Sequence, residues 1–189
     1  QDNFSADSNA KITISGGKIT VDAKGDGLDS NGSLCVSGGE IFVTGPSDNG
    51  NGALDYNGDA QITGGTIVAV GMSGMAQNFG SSSTQGSILS NTATNTSGEV
   101  VLKDSNGNVL VSFTPTREFN SVVVSTPDVK KGSTYTLITG DSSITIEMSD
   151  IIYGESTQGG APNGGGQGGP NGRGQAPNGN MGGGFGNRP

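Results

Sequence analysis

A pair of adjacent glycines recurs along the N-terminal half of the chain, each time between two short alternating apolar runs. Gly16-Gly17, Gly38-Gly39 and Gly64-Gly65 lie 22 and 26 residues apart. Aligned on these pairs, ADSNAKITISGGKITV, LDSNGSLCVSGGEIFV and LDYNGDAQITGGTIVAV superpose. Ile14, Val36 and Ile62 share one column, Ile19, Ile41 and Ile67 a second, and Val21, Val43 and Ala69 a third. Alternate residues of a strand point to one face, so these columns predict strands with a common apolar side. The repeat contains no helical pattern and is too long for a nonapeptide calcium roll. Its period suits one turn of a parallel β-helix, with rungs about 4.8 Å apart. The predicted fold class is therefore all-β.

Composition narrows the chemistry. There is no histidine, no tryptophan and one cysteine among 189 residues. Imidazole-based catalysis, histidine-ligated zinc and an internal disulfide are thereby excluded. Residues 159–189 hold 14 of the 36 glycines and four prolines, and their only charges are Arg173 and Arg188. Residues 1–158 consequently carry a net charge of −10. So acidic a body repels phosphate backbones and favours hard cations, so no nucleic-acid partner is expected. No apolar run reaches the ~20 residues of a membrane span. No charged n-region or apolar h-region opens the sequence, so any signal peptide is expected to have been removed or to lie outside it. The Ser, Thr, Asn and Gly content fits an exported protein of the bacterial cell surface.

Two polar columns accompany the apolar ones. Asp7, Asp29 and Asp55 align, as do Asn9, Asn31 and Asn57. Stacked asparagines have a structural reading, an amide ladder along the rungs, beside a ligand one. Stacked aspartates repel by about 3–4 kcal/mol per rung at an effective dielectric near 20, and no basic residue occupies a flanking column. Either they splay into water or a cation sits among them. Asp26 adds a carboxylate at the same bend. The inserted loop with Asp48, Asn49 and Asn51 adds further oxygens before Asp55. Calcium takes 6–8 such oxygens. The candidate calcium ligands are Asp7, Asp26, Asp29, Asp48, Asp55, Asn31 and Asn57; Tyr56, Asn49 and Asn51 are candidate sugar contacts. An EF-hand is not met, because Ala60 and Thr66 replace its glycine and closing glutamate.

These residues bear a resemblance. GDGLDSNG, the SGG bends, GPSDNGNGALDYNG, ITGG, GMSGMAQ, STQGSILSN and the long match ending in STYTLITG resemble the bacterial Cthe_2159-like carbohydrate-binding family. The resemblance covers about 150 residues. It implies a right-handed, pectate-lyase-like parallel β-helix that binds calcium, with cellulose or acidic plant polysaccharide such as polygalacturonate as ligand. By position it implies calcium at the Asp29 and Asp55 motifs, with Asp7 in a degenerate copy. Gln77 would end the aspartate column. Family members carry more turns ahead of this region. The expectation is either that N-terminal turns are missing from this sequence or that the strand edge of its first turn is covered by a partner.

The expected organisation is solenoid turns over 1–97, antiparallel strands over 98–153 and a Gly/Pro/Asn-rich tail over 154–189. Asn106-Gly107 is a hairpin signal. The leading functional expectation is an extracellular, calcium-dependent, non-catalytic polysaccharide binder. The alternative is a self-assembling filament subunit, stacked head to tail with the tail packed between subunits. A third is a polysaccharide lyase; Arg117, its one arginine before the tail, lies far in sequence from the acidic columns. Cys35 aligns with Thr13 and Gln61, opposite the apolar columns, which leaves two readings, a partly exposed thiol that could cross-link subunits or a buried, inert cysteine.

Overall fold

The computed structural model describes residues 5–157, so the expectations for 158–189 fall outside it. Its regular structure is β throughout, apart from one 3-10 turn at Ser73–Met75. β1 (Lys11–Asp22), β3 (Ser33–Thr44) and β5 (Ala60–Gly71) carry the three repeats and pair in parallel. The partners include Ile14↔Val36↔Ile62 and Ile19↔Ile41↔Ile67. Between the arms of each strand the Gly-Gly bend shifts the register. Gly17, Gly39 and Gly65 have φ near +90°, which only glycine adopts without strain. The first glycine of the later pairs is needed for a different reason. A Cβ at Gly38 would lie 2.6 Å from Ser15 O, and one at Gly64 2.5 Å from Ser37 O. β2 (Leu28–Ser30) and β4 (Leu54–Tyr56) form a second, two-stranded parallel pair.

The expected right-handed parallel β-helix is not the fold of this chain. After β5 the parallel order ends. β9 (Phe119–Ser125) joins β5 antiparallel, and β6 (Ser87–Thr96) joins β9 antiparallel. With β12 (Ile152–Tyr153) they complete a mixed six-stranded sheet, ordered β1-β3-β5-β9-β6-β12. β7 (Val100–Asp104), β8 (Val109–Phe113), β10 (Thr134–Thr139) and β11 (Ser142–Glu147) make a separate antiparallel sheet, ordered β11-β10-β7-β8.

Buried side chains explain why the stacking stops. Gln77 Oε1 accepts from Tyr56 N (2.9 Å), and its Nε2 donates to Tyr56 O (3.1 Å). The amide thus takes both backbone groups that the next strand beside β4 would use. Ser83 Oγ accepts from Ile62 N (3.1 Å), and Gln85 Nε2 donates to Gly65 O (2.8 Å). With these positions on β4 and β5 occupied, another parallel strand has few partners left.

The mixed sheet has two covered faces. Ile14, Val36, Ile41, Ile62, Ile67, Leu89 and Val123 pack on one side with Leu54 and Phe79. Val68, Val70, Ile88, Val122 and Val124 pack on the other against Leu102, Leu137 and Ile146 of the antiparallel sheet. The uninterrupted apolar runs Ile67–Val70 and Val122–Val124 are strands buried on both faces.

Candidate functional site

Asp29 and Asp55 are register partners in the β2–β4 pair. Their neighbours Ser30, Leu54 and Tyr56 are buried. Period-two alternation therefore turns both carboxylates outward, one above the other. Asp29 is exposed and Asp55 half-buried. Asp26 stands at the entrance to β2, where its Oδ1 accepts from Gly52 N at 2.7 Å. Gly27 N donates to Gly52 O at 2.9 Å. The inserted loop is thus tied to the acidic bend.

Within that loop, Asp48 Oδ1 accepts from Gly50 N (2.8 Å) and from Asn51 Nδ2 (2.9 Å). The Asn51 Oδ1 lies near Gly25, 3.9 Å from where a Cβ on that residue would sit. Asn49 turns the other way and accepts from Gly74 N at 3.1 Å.

Burial raises the Asp55 carboxyl above the ordinary carboxylate range, and the charges of Asp26 and Asp29 raise it further. Among the described residues the ion pairs are Lys18–Glu40, Arg117–Asp22 and Lys131–Asp150, so none neutralises this trio. Nor do three carboxylates or thiolates come close enough to hold a metal by themselves among the described residues. A cation at this bend would draw on Asp29, Asp55, the second oxygen of Asp26, Asn51 and backbone carbonyls. These oxygen donors, without sulfur or imidazole, suit calcium.

Several expected site residues lie elsewhere. Asp7 does not stack above Asp29. Its N donates to Asn31 O (2.8 Å), its Oδ1 accepts from Asn9 N (2.8 Å), and its carbonyl presses on Gly32. Asp7 and Asn57 instead line a separate hollow of about 270 Å³ with Gly58 and Asp59. Asn31 and Asn57 are joined to neighbouring rungs through backbone bonds, Asp7 N to Asn31 O and Asn57 N to Ser30 O. Tyr56 cannot stack on a sugar, because it is only 7% exposed and its hydroxyl donates to Asn78 O. Burial pushes its phenol up to about 12.

Asp22 was not singled out from the sequence, yet Arg117 and Thr116 both bond it, and Arg117 Nη1 also donates to Gly45 O at 2.9 Å. Arg117 therefore clamps β1 and β3 to the 114–118 segment. A further hollow of about 290 Å³ is lined by Thr63, Thr84, Gln85, Lys130 and Lys131, and no acid is among its lining residues. Among the described residues no helix is long and apolar enough to cross a membrane. No protein-family model, curated protein or solved structure matches the chain.

Proposed function

We propose that this chain is an extracellular, non-catalytic polysaccharide-binding protein whose acidic bend works with calcium. The observation that carries this reading is the in-register Asp29–Asp55 pair, with Asp26 beside it and no basic partner. Such an arrangement destabilises the cation-free chain slightly and leaves a surface charge for a divalent ion to compensate. A bound calcium keeps open coordination positions. It would link the acidic protein to the carboxylates of an acidic glycan, which otherwise repel it. The resemblance to calcium- and carbohydrate-binding bacterial proteins supports the same reading. Arg117 is held by Asp22 and two backbone carbonyls, which leaves it poorly suited to proton abstraction in a lyase.

Calorimetric titration of calcium into the wild type, Asp29→Ala and Asp55→Ala, followed by polygalacturonate binding with and without calcium, tests the proposal. We expect each substitution to weaken calcium binding by about tenfold or more, equivalent to about 1.4 kcal/mol, and glycan binding to follow calcium. Unchanged calcium affinity in both variants would overturn it. Release of an ultraviolet-absorbing unsaturated product would instead establish a lyase.

A further inference from the structure

β1 differs from the two strands stacked beyond it in ways that the described residues do not explain. It occupies one end of the mixed sheet and, among the described residues, is bonded to β3 alone. Ile12, Ile19 and Val21 are half-buried, whereas their partners Leu34, Ile41 and Val43 are fully covered. The bend repeats the contrast. A Cβ at Gly38 or Gly64 would strike the backbone of the preceding strand, but one at Gly16 would meet nothing within 4 Å. The glycine pair at 16–17 leaves room for a close backbone neighbour, and none stands there among the described residues.

The order of residues in β1 identifies that neighbour. KITISGGKITVD is self-complementary when laid antiparallel to a second copy of itself. With Gly16 opposite Gly17 of the other copy, Ile14 faces Ile19, Thr13 faces Thr20 and Ile12 faces Val21. Ser15 faces Lys18, and Lys11 faces Asp22. The bend exchanges the inward and outward positions of the strand, so this pairing brings apolar residue to apolar residue on the same side in both arms. At each end of the paired strands lysine meets aspartate. Lys11 is exposed, and the Asp22 side chain is 49% exposed beside Arg117.

We propose that two copies of this chain pair edge to edge through β1, antiparallel about a two-fold axis at the Gly16–Gly17 bend. Pairing satisfies the outward-facing backbone groups of β1 and covers Ile12, Ile19 and Val21. An interface made of the same patch on both partners closes on itself. It therefore yields a dimer rather than a filament, with the acidic bends of the two copies on one particle, so that a glycan chain can engage both.

Sedimentation equilibrium and light scattering of the full chain test this directly. The mass should approach twice 18.7 kDa as concentration rises and go no further. A monomer at every concentration overturns the proposal. So does a mass that climbs without limit, which would assign the edge to a head-to-tail neighbour. Lys11→Asp sets like charges opposite each other at both ends and should weaken dimerisation about tenfold or more. Thermal unfolding at concentrations where both proteins are monomeric should be unchanged, since Lys11 has no ion-pair partner among the described residues. In a Cys35→Ser background, Thr13→Cys with Thr20→Cys should give an oxidised, covalent dimer, and Thr13→Cys alone should not. Failure of the double variant to cross-link, or equal cross-linking by the single one, rules out this register.

Discussion

Asp55 shows how a single position ties folding to function. Its carboxyl is raised by burial first and then by Asp26 and Asp29. The folded chain thus holds this proton more tightly than the unfolded chain does. The corresponding stability is present at low pH and is lost as pH rises from about 3.8 through the raised value. Without calcium, Asp55→Asn should therefore raise the melting temperature at neutral pH, by about 1–3 °C because water screens much of the repulsion. Differential scanning calorimetry across pH 3–7 checks this; a lowered melting temperature at pH 7 would mean that the carboxylate makes a favourable contact instead. The aspartate column was legible in the sequence because its spacing matches the repeat. The displacement of Asp7 was not, since it depends on the backbone contact of residues 7–10 with Asn31 and Gly32.

At the scale of elements, the repeat ends because side chains take the place of a strand. Gln77 occupies the N–H and C=O of Tyr56, and Asn78 joins the β4 side to β12 by donating to Tyr153 O at 2.8 Å. Gln77→Ala leaves two buried backbone groups of Tyr56 without partners, each costing about 1–3 kcal/mol. We expect a loss of about 2–4 kcal/mol, read as a lower denaturant midpoint, with Gln77→Glu recovering only part because a carboxylate cannot donate to Tyr56 O. A midpoint unchanged in Gln77→Ala would show that water replaces the amide. Position 77 was visible in the sequence as the end of the aspartate column. What a glutamine does there was not, because capping depends on the path of residues 72–79 behind β4. Alternation likewise located the inward columns but gave no reason to expect the other face of the sheet to be covered. The signal lay in the outward series Thr20, Phe42, Val68, which turns apolar along the chain, and Phe42 stacks on Phe113 with ring centroids 5.1 Å apart.

For the whole molecule, the mixed sheet is shared by both apolar cores, so the antiparallel sheet is not an independent appendage. Val68 and Val70 of β5 lie in one core while Ile67 and Ala69 of the same strand lie in the other. Leu102→Ala, at a fully buried position of the antiparallel sheet, should cost about 2–5 kcal/mol. It should also lower one cooperative transition for the described body, seen together by far-ultraviolet dichroism and tyrosine fluorescence. Two separated transitions would show that the sheets unfold independently. The sequence by itself determined the all-β character, the three in-register repeats, the glycine bends and the outward carboxylate pair. All of these follow from local periodicity and from the positive φ that Gly17, Gly39 and Gly65 supply. Only the tertiary structure decided how the stack ends, which way β9 and β6 run, and that Tyr56 is buried. Those outcomes depend on which distant side chains reach the free backbone groups of the third repeat, and a period of 22–26 residues carries no information about them.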